Sequence, residues 1–328
     1  MSLTRVASAL VLFMAVAVLP AQIGNFPQSE ATSINNSRQI AGWTLDSAGT
    51  MHAWVWDGGF AINLETLPQS SDAATAINNV GLVVGYKTLN IGTFQAVLWN
   101  NRVPQDLVIF GGLPTTSSRA TAVNSNGIVV GWASYDFTLT QRAFMWDGSL
   151  RDLGPLVGDF TAATAINDRG DIVGTKVRAW GFLLRNGIVT QLSSPTYSIT
   201  APAGINEKGQ IALTAFKPPA LYAQAVLWDR GVFQELGTLG GAESEATAIN
   251  RSAQIVGGSR LANGRVHAFL WQKGVMQDLD TLGGENSMAL AINDFGDVVG
   301  RAETPAGSPH AFLWRNGAMI DLGIFVGP

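Results

Sequence analysis

Three histidines, five repeated acids and three aromatic residues carry most of the chemistry this chain offers. His52, His267 and His310 are its only histidines, and each opens a similar phrase: HAWVW, HAFLW and HAFLW. Three imidazoles at matching places suggest a three-histidine metal centre, which needs bonds of about 2.0–2.1 Å to one ion. Equivalent positions on neighbouring repeat units lie much farther apart than that reach. Each ring also has a candidate partner eleven residues on, namely Asp278 after His267, Asp321 after His310 and Asn63 after His52. No metal and no other cofactor is therefore expected. The acids Asp106, Asp152, Glu235, Asp278 and Asp321 also recur at one place per unit. Paired acids hydrolyse glycosides only at defined separations within one cleft. A partial ring of repeated acids, five in seven units, is explained more simply by capping or pairing within each unit. Trp43, Tyr86 and Trp132 share another repeat position, where later units have Thr175, Gly258 and Arg301. Flat aromatic faces on neighbouring units would stack on sugar rings or other planar ligands; the alternative is that they pack their own loops. The chain holds no GxSxG, no HExxH, no glycine-rich phosphate loop and no EF-hand spacing.

The elements that must position these groups follow from one repeated phrase. ATAINNVGLVVG begins at Ala74, and close copies begin at Ala120, Ala163 and Ala246. A further copy reads AINDFGDVVG from Ala291, and looser ones begin at Ala31 and Ala203. The asparagines that punctuate them are Asn35, Asn78, Asn124, Asn167, Asn206, Asn250 and Asn293, at spacings of 39 to 46 residues. That period, with short Val/Ile/Phe/Trp runs between Gly, Asn and Asp and no apolar period of 3.6, predicts four-stranded propeller blades. In the second unit the strands are expected at 74–78, 82–85, 95–99 and 103–107. The repeated Asn opens an Asx-type turn whose fourth residue is Gly in five copies, and pairs such as Asp57-Gly58, Asn100-Asn101 and Asn316-Gly317 are expected to turn the second hairpin. Ala and Thr suit the crowded inner strand. Trp56, Trp99, Trp146, Trp228, Trp271 and Trp314 hold one equivalent position and are expected to fill the widening space between blades. The expected fold is all-β: one seven-bladed β-propeller of four-stranded antiparallel blades over residues 22–328. Gln22-Ile23-Gly24 is left over and is a candidate to latch the last blade.

Composition bounds the function. The chain is 47% hydrophobic, 13% charged and free of cysteine, with a formal net charge of −4. It lacks the basic clusters that neutralise phosphate, so nucleic acid is not an expected partner. Residues 1–21 read as a secretory signal peptide: Arg5, an apolar run from Ala9 to Leu19, and Ala21 at the cleavage site. No later segment reaches eighteen apolar residues, so no membrane span is expected after cleavage.

The phrases HAWVW and HAFLW, the stretch LGTLGG at 236–241 and the AIN phrase together resemble the HAF-type extracellular repeats. The resemblance covers essentially the whole mature chain and implies a secreted or cell-surface protein. Units 4 and 5 depart from it, with WGFLL at Trp180, QAVLW at Gln224 and Leu213 in place of Gly. The resulting expectation is a monomeric binding module for a polysaccharide or a surface protein, on the face that carries the longer connections. The alternative is a polysaccharide hydrolase or lyase on the same face.

Overall fold

The protein is described here from a computed structural model covering residues 28–64, 71–90, 93–107, 117–134, 140–177, 179–197, 199–218 and 222–323. Seven four-stranded antiparallel sheets follow one another along the chain, and in each the strands pair in sequence order. Blade 1 consists of β1 (Gln28–Ile34), β2 (Ile40–Leu45), β3 (Met51–Asp57) and β4 (Phe60–Asn63). Blade 7 consists of β25 (Ser287–Ile292), β26 (Val298–Glu303), β27 (Pro309–Arg315) and β28 (Ala318–Gly323). In blade 2 the second and third strands are longer than expected, at Val83–Asn90 and Thr93–Asn100. Blades 4 and 5 are as regular as the rest despite their divergent sequences. One short helix, α1 (Gly154–Val157), lies between blades 3 and 4.

The repeated phrase builds the ring as well as the blade. In each copy the asparagine Oδ1 accepts backbone amides two or four residues on, or both, as with Val80 and Leu82 for Asn78. The fourth turn residue has positive φ in every copy, including Arg38 (66°) and Ala253 (60°) where glycine is absent. The same asparagine's Nδ2 donates to the backbone carbonyl of the next blade's asparagine. All seven such bonds are present, at 2.8–3.3 Å, and Asn293 to Asn35 closes the circle. A second set comes from the threonine of the phrase. It sits at a bulge in the innermost strand and donates to the next blade in five copies, at 2.8–2.9 Å. A third set uses the hydroxyl six residues before the asparagine. At six seams Ser29, Ser118, Thr161, Thr200, Ser244 or Ser287 accepts an amide from the third strand of the preceding blade. These bonds join buried polar groups that would otherwise carry a desolvation penalty of about 1–3 kcal/mol each.

Apolar packing follows the same symmetry, with one buried cluster at each of the seven seams. All six equivalent tryptophans belong to these clusters, Trp99, Trp271 and Trp228 at 1%, 5% and 8% exposure. The second hairpin turns on two positive-φ residues at 58–59, 101–102, 186–187, 230–231, 273–274 and 316–317. The Asp57-Gly58 and Asn100-Asn101 turns expected from sequence therefore sit one residue too early, because Asp57 and Asn100 pair within the ladder. Gln22 to Gly24 lie outside the described residues. Among the described residues the outermost strand of blade 7 is β28, and blades 7 and 1 meet through bonds that include Asn293 to Asn35 and the Ala311 amide to Ser29. Among the described residues no helix is long and apolar enough to cross a membrane.

Candidate functional site

Each innermost strand runs toward its Asn turn, so its early residues lie near the opposite face, where the longer connections gather. The residue five before the asparagine pairs there with the residue eight after it on the second strand. Glu30 lies beside Trp43, Ala73 beside Tyr86, Arg119 beside Trp132, Ala162 beside Thr175, Glu245 beside Gly258 and Met288 beside Arg301. Across a seam, the second-strand residue of one blade meets the first-strand residue of the next, and the contacts are complementary. Arg301 pairs with Glu30 at 2.9 Å, Trp43 packs with Ala73, and Met288 Sδ fills the space that a Cβ on Gly258 would need. This is the layer in which the repeat stops repeating. Catalysis or recognition needs dissimilar groups gathered in one place, and they gather here.

The seam between blades 2 and 3 departs furthest from the common pattern. Tyr86 and Phe94 meet edge to face, with centroids 5.3 Å apart and planes at 81°. The Arg119 guanidinium carbon lies 3.9 Å from the Phe94 centroid, 4.2 Å from that of Tyr86 and 5.8 Å from that of Trp132. Its Nε is buried and has no hydrogen-bond partner among the described residues. Burial lowers the pKa of this guanidinium, and burial raises that of the Tyr86 phenol beside it. Eleven other described arginines each have a carboxylate within 4 Å. Near the closing seam, burial raises the pKa of the Glu245 carboxyl and Arg301 opposes that shift.

The aromatic residues singled out from sequence occupy this layer but differ in access. Trp43 and Tyr86 are 5% and 4% exposed, packed with Ala73 between blades 1 and 2, whereas Trp132 is half-buried. The histidines and acids lie farther out, each within its own blade. His267 Nδ1 is 2.9 Å from Asp278, and His310 Nδ1 is 2.9 Å from Asp321. His52 turns instead to Asp46, through Nε2 at 3.0 Å, and that imidazole holds the Asp46 carboxyl below its usual pKa. The other acids are engaged as well: Asp106 with Lys87, Asp152 with Arg142, and Glu235 with Tyr197 and Lys217. Asp152, Asp278 and Asp321 also accept an amide two residues on, which fixes the start of the following connection. Among the described residues no three His, Asp or Glu side chains gather as a metal would require. A depression on blade 5 is lined by Lys217, Pro218, Tyr222, Gln224 and Glu235, and its two charges pair with each other.

Arg119 was not singled out by its sequence neighbourhood, although a signal was there. The position just before the phrase's recurrent small residue reads Glu30, Ala73, Arg119, Ala162, Ala201, Glu245 and Met288. A position that varies inside a constant phrase marks a place freed from the needs of the repeat.

Residues 38–224, more than half of the chain, match the family described as Protein of unknown function (DUF3466). The chain belongs to the DUF3466 family. No curated protein matches it. Among solved structures, this DUF3466 protein is similar to the β-propeller domain of the Trilobed protease from Pyrococcus furiosus. The TM-score is 0.61 at 9% identity, covering 92% of this chain and 97% of that one. It is also similar to an acylaminoacyl peptidase (TM-score 0.59, 13% identity, 91% of this chain and 52% of that one) and to a puromycin-hydrolyzing peptidase from Mycobacterium tuberculosis (0.59, 11%, 92% and 53%). The chain thus spans about half the length of these two peptidases. At such identities the likeness shows the propeller fold alone.

The family match corrects the resemblance to HAF-type repeats. The His-Ala-Phe phrase has a structural reading in this DUF3466 chain. At 267–269 and 310–312 the imidazole bonds its own blade's acid, the alanine amide donates to the next blade's serine, and the phenylalanine is fully buried. Blade geometry selects those residue types, so the phrase arises outside the family for which it is known.

Proposed function

We propose that this protein is an extracytoplasmic recognition module that binds a carbohydrate on its long-connection face, at the seam between blades 2 and 3. One observation carries the reading: at that seam a half-buried indole, Trp132, lies beside a guanidinium with unused donors, in a layer freed from the repeat. An indole face takes the apolar C–H side of a sugar ring, and adjacent N–H donors fix its orientation. Tyr86 lies against the guanidinium, and Trp43 packs with Tyr86 and Ala73. The extracytoplasmic setting rests on the signal-like pattern around Arg5 and the apolar run to Leu19. The hydrolase or lyase alternative draws no support from the acids, each of which is held by a partner in its own blade.

The test is a polysaccharide binding screen with product release followed in the same wells. Binding without products, weakened at least tenfold by Trp132→Ala in a protein that melts normally, supports the reading. Unchanged binding by that variant removes the site, and product release replaces recognition with catalysis.

A further inference from the structure

Arg119 is the one half-buried arginine in the described structure that lacks a carboxylate. The rings of Phe94 and Tyr86 lie against its guanidinium at 3.9 and 4.2 Å, with Trp132 at 5.8 Å. Aromatic rings offer no carboxylate or carbonyl acceptor, so the N–H donors, five in number on any arginine, are not neutralised by these contacts. Here the buried Nε–H has no acceptor. A partly desolvated cation without a counter-charge is unfavourable, and a native protein that keeps one calls for an explanation. Six of the seven blades avoid a cation at this position: the residues are Glu30, Ala73, Ala162, Ala201, Glu245 and Met288. Where the ring does bring a guanidinium to this layer from the other side, at Arg301, it supplies Glu30 at 2.9 Å. The chain therefore has the means to neutralise such a charge and does so at one seam and not at the other. The contacts with Phe94 and Tyr86 also restrict the guanidinium, which lowers the entropy lost when it grips an anion.

We infer that Arg119 binds an anionic group of the ligand, a carboxylate or a sulfate, so that the carbohydrate taken at this seam is an acidic one. The inference rests on the recognition reading above and adds the charge of the ligand. The guanidinium N–H groups donate to a carboxylate in a two-point bond, while the neighbouring Trp132 face takes the ring that bears it. A neutral sugar would leave the guanidinium as unpaired as it is in the free protein.

Isothermal titration of the full protein with a uronic-acid trisaccharide, its neutral methyl ester, sodium sulfate and a tripeptide with a free C-terminus separates the possibilities. The acid is expected to bind at least tenfold tighter than the ester, and 0.5 M NaCl should narrow that gap. Arg119→Gln should bring the acid to the level of the ester, and Arg119→Lys should restore part of the difference, since lysine keeps the charge but loses the fork. Equal binding of acid and ester, with both lost in Trp132→Ala, overturns the anion inference and leaves the carbohydrate reading standing. Sulfate or the tripeptide binding through Arg119 while neither sugar binds keeps the anion site and overturns the carbohydrate. No binding by any probe overturns both. Should Arg119→Gln fail to fold, the acid-to-ester ratio and its salt dependence in the parent protein still decide the question.

Discussion

The seam between blades 7 and 1 and the seam between blades 2 and 3 use the same two positions for opposite ends. At the first, Arg301 reaches Glu30 at 2.9 Å, and Arg38 of blade 1 pairs with Asp297 of blade 7 at 3.1 Å. Asn36 and Asp294 exchange two further bonds there, at 2.9 and 3.0 Å. At the second, Arg119 meets rings and no carboxylate. The difference follows from what each seam must do. Blades 7 and 1 are joined by no peptide link, so their contacts alone oppose opening of the ring. Blades 2 and 3 are consecutive in the chain, so their seam is not the place where the ring must be closed. The proposed anion site uses that latitude.

The comparison can be broken experimentally, starting with the largest effect. Asn78→Ala removes a cross-seam bond and two turn bonds from a side chain that is 5% exposed, and should cost about 3 kcal/mol in chemical denaturation. Asn293→Ala makes the same cut at the closing seam and should cost as much or more. A much smaller loss there would mean that the ring is not closed as described. Next comes Arg301→Met, which strands the Glu30 carboxylate. Because Arg301 is half exposed, the expected loss is only about 1–2 kcal/mol. Arg119→Met at the other seam should go the opposite way, leaving stability unchanged or raising it by up to about 1 kcal/mol, since it replaces an unpaired desolvated cation with an apolar chain. A loss of 2 kcal/mol or more would show that Arg119 is structural.

The smallest effect concerns pH. Burial raises the Glu245 pKa above its ordinary 4.5 in the folded protein, so the folded state holds that proton more tightly than the unfolded chain. Its contribution to stability is full below about pH 4.5 and is lost as pH rises through the folded value. Glu245→Gln should therefore melt a few tenths of a kcal/mol later than the parent at pH 7 and match it near pH 4. Parallel melting curves for the two proteins from pH 4 to 8 would contradict the raised pKa.

Much of the architecture was legible because each repeat answers a local demand. The Asn turn, the positive-φ fourth residue and the tryptophan ring follow from rules of turns and packing that act within one blade. What the copies do to one another was hidden, because a side chain bonding a residue 43 positions away leaves no mark on its own surroundings. The Asn78 to Asn124 bond and the serine bonds to the preceding blade are of that kind. The candidate site was hidden for the converse reason. Trp43, Tyr86 and Trp132 look alike along the chain, yet two are buried and one is half-buried, because burial depends on the neighbouring blade. The HAF phrase misled through the same logic, as residues chosen by blade geometry read like a family signature.

The sequence by itself determined the number of blades, the four strands of each and the face on which the long connections lie, because periodicity and turn chemistry are properties of neighbouring residues. The tertiary structure alone decided which blades carry paired charges and which do not. Glu30 and Arg301 are 271 residues apart and meet because the ring closes. Arg119 lacks such a partner because the second strand of the preceding blade presents Tyr86 at the place where blade 7 presents Arg301.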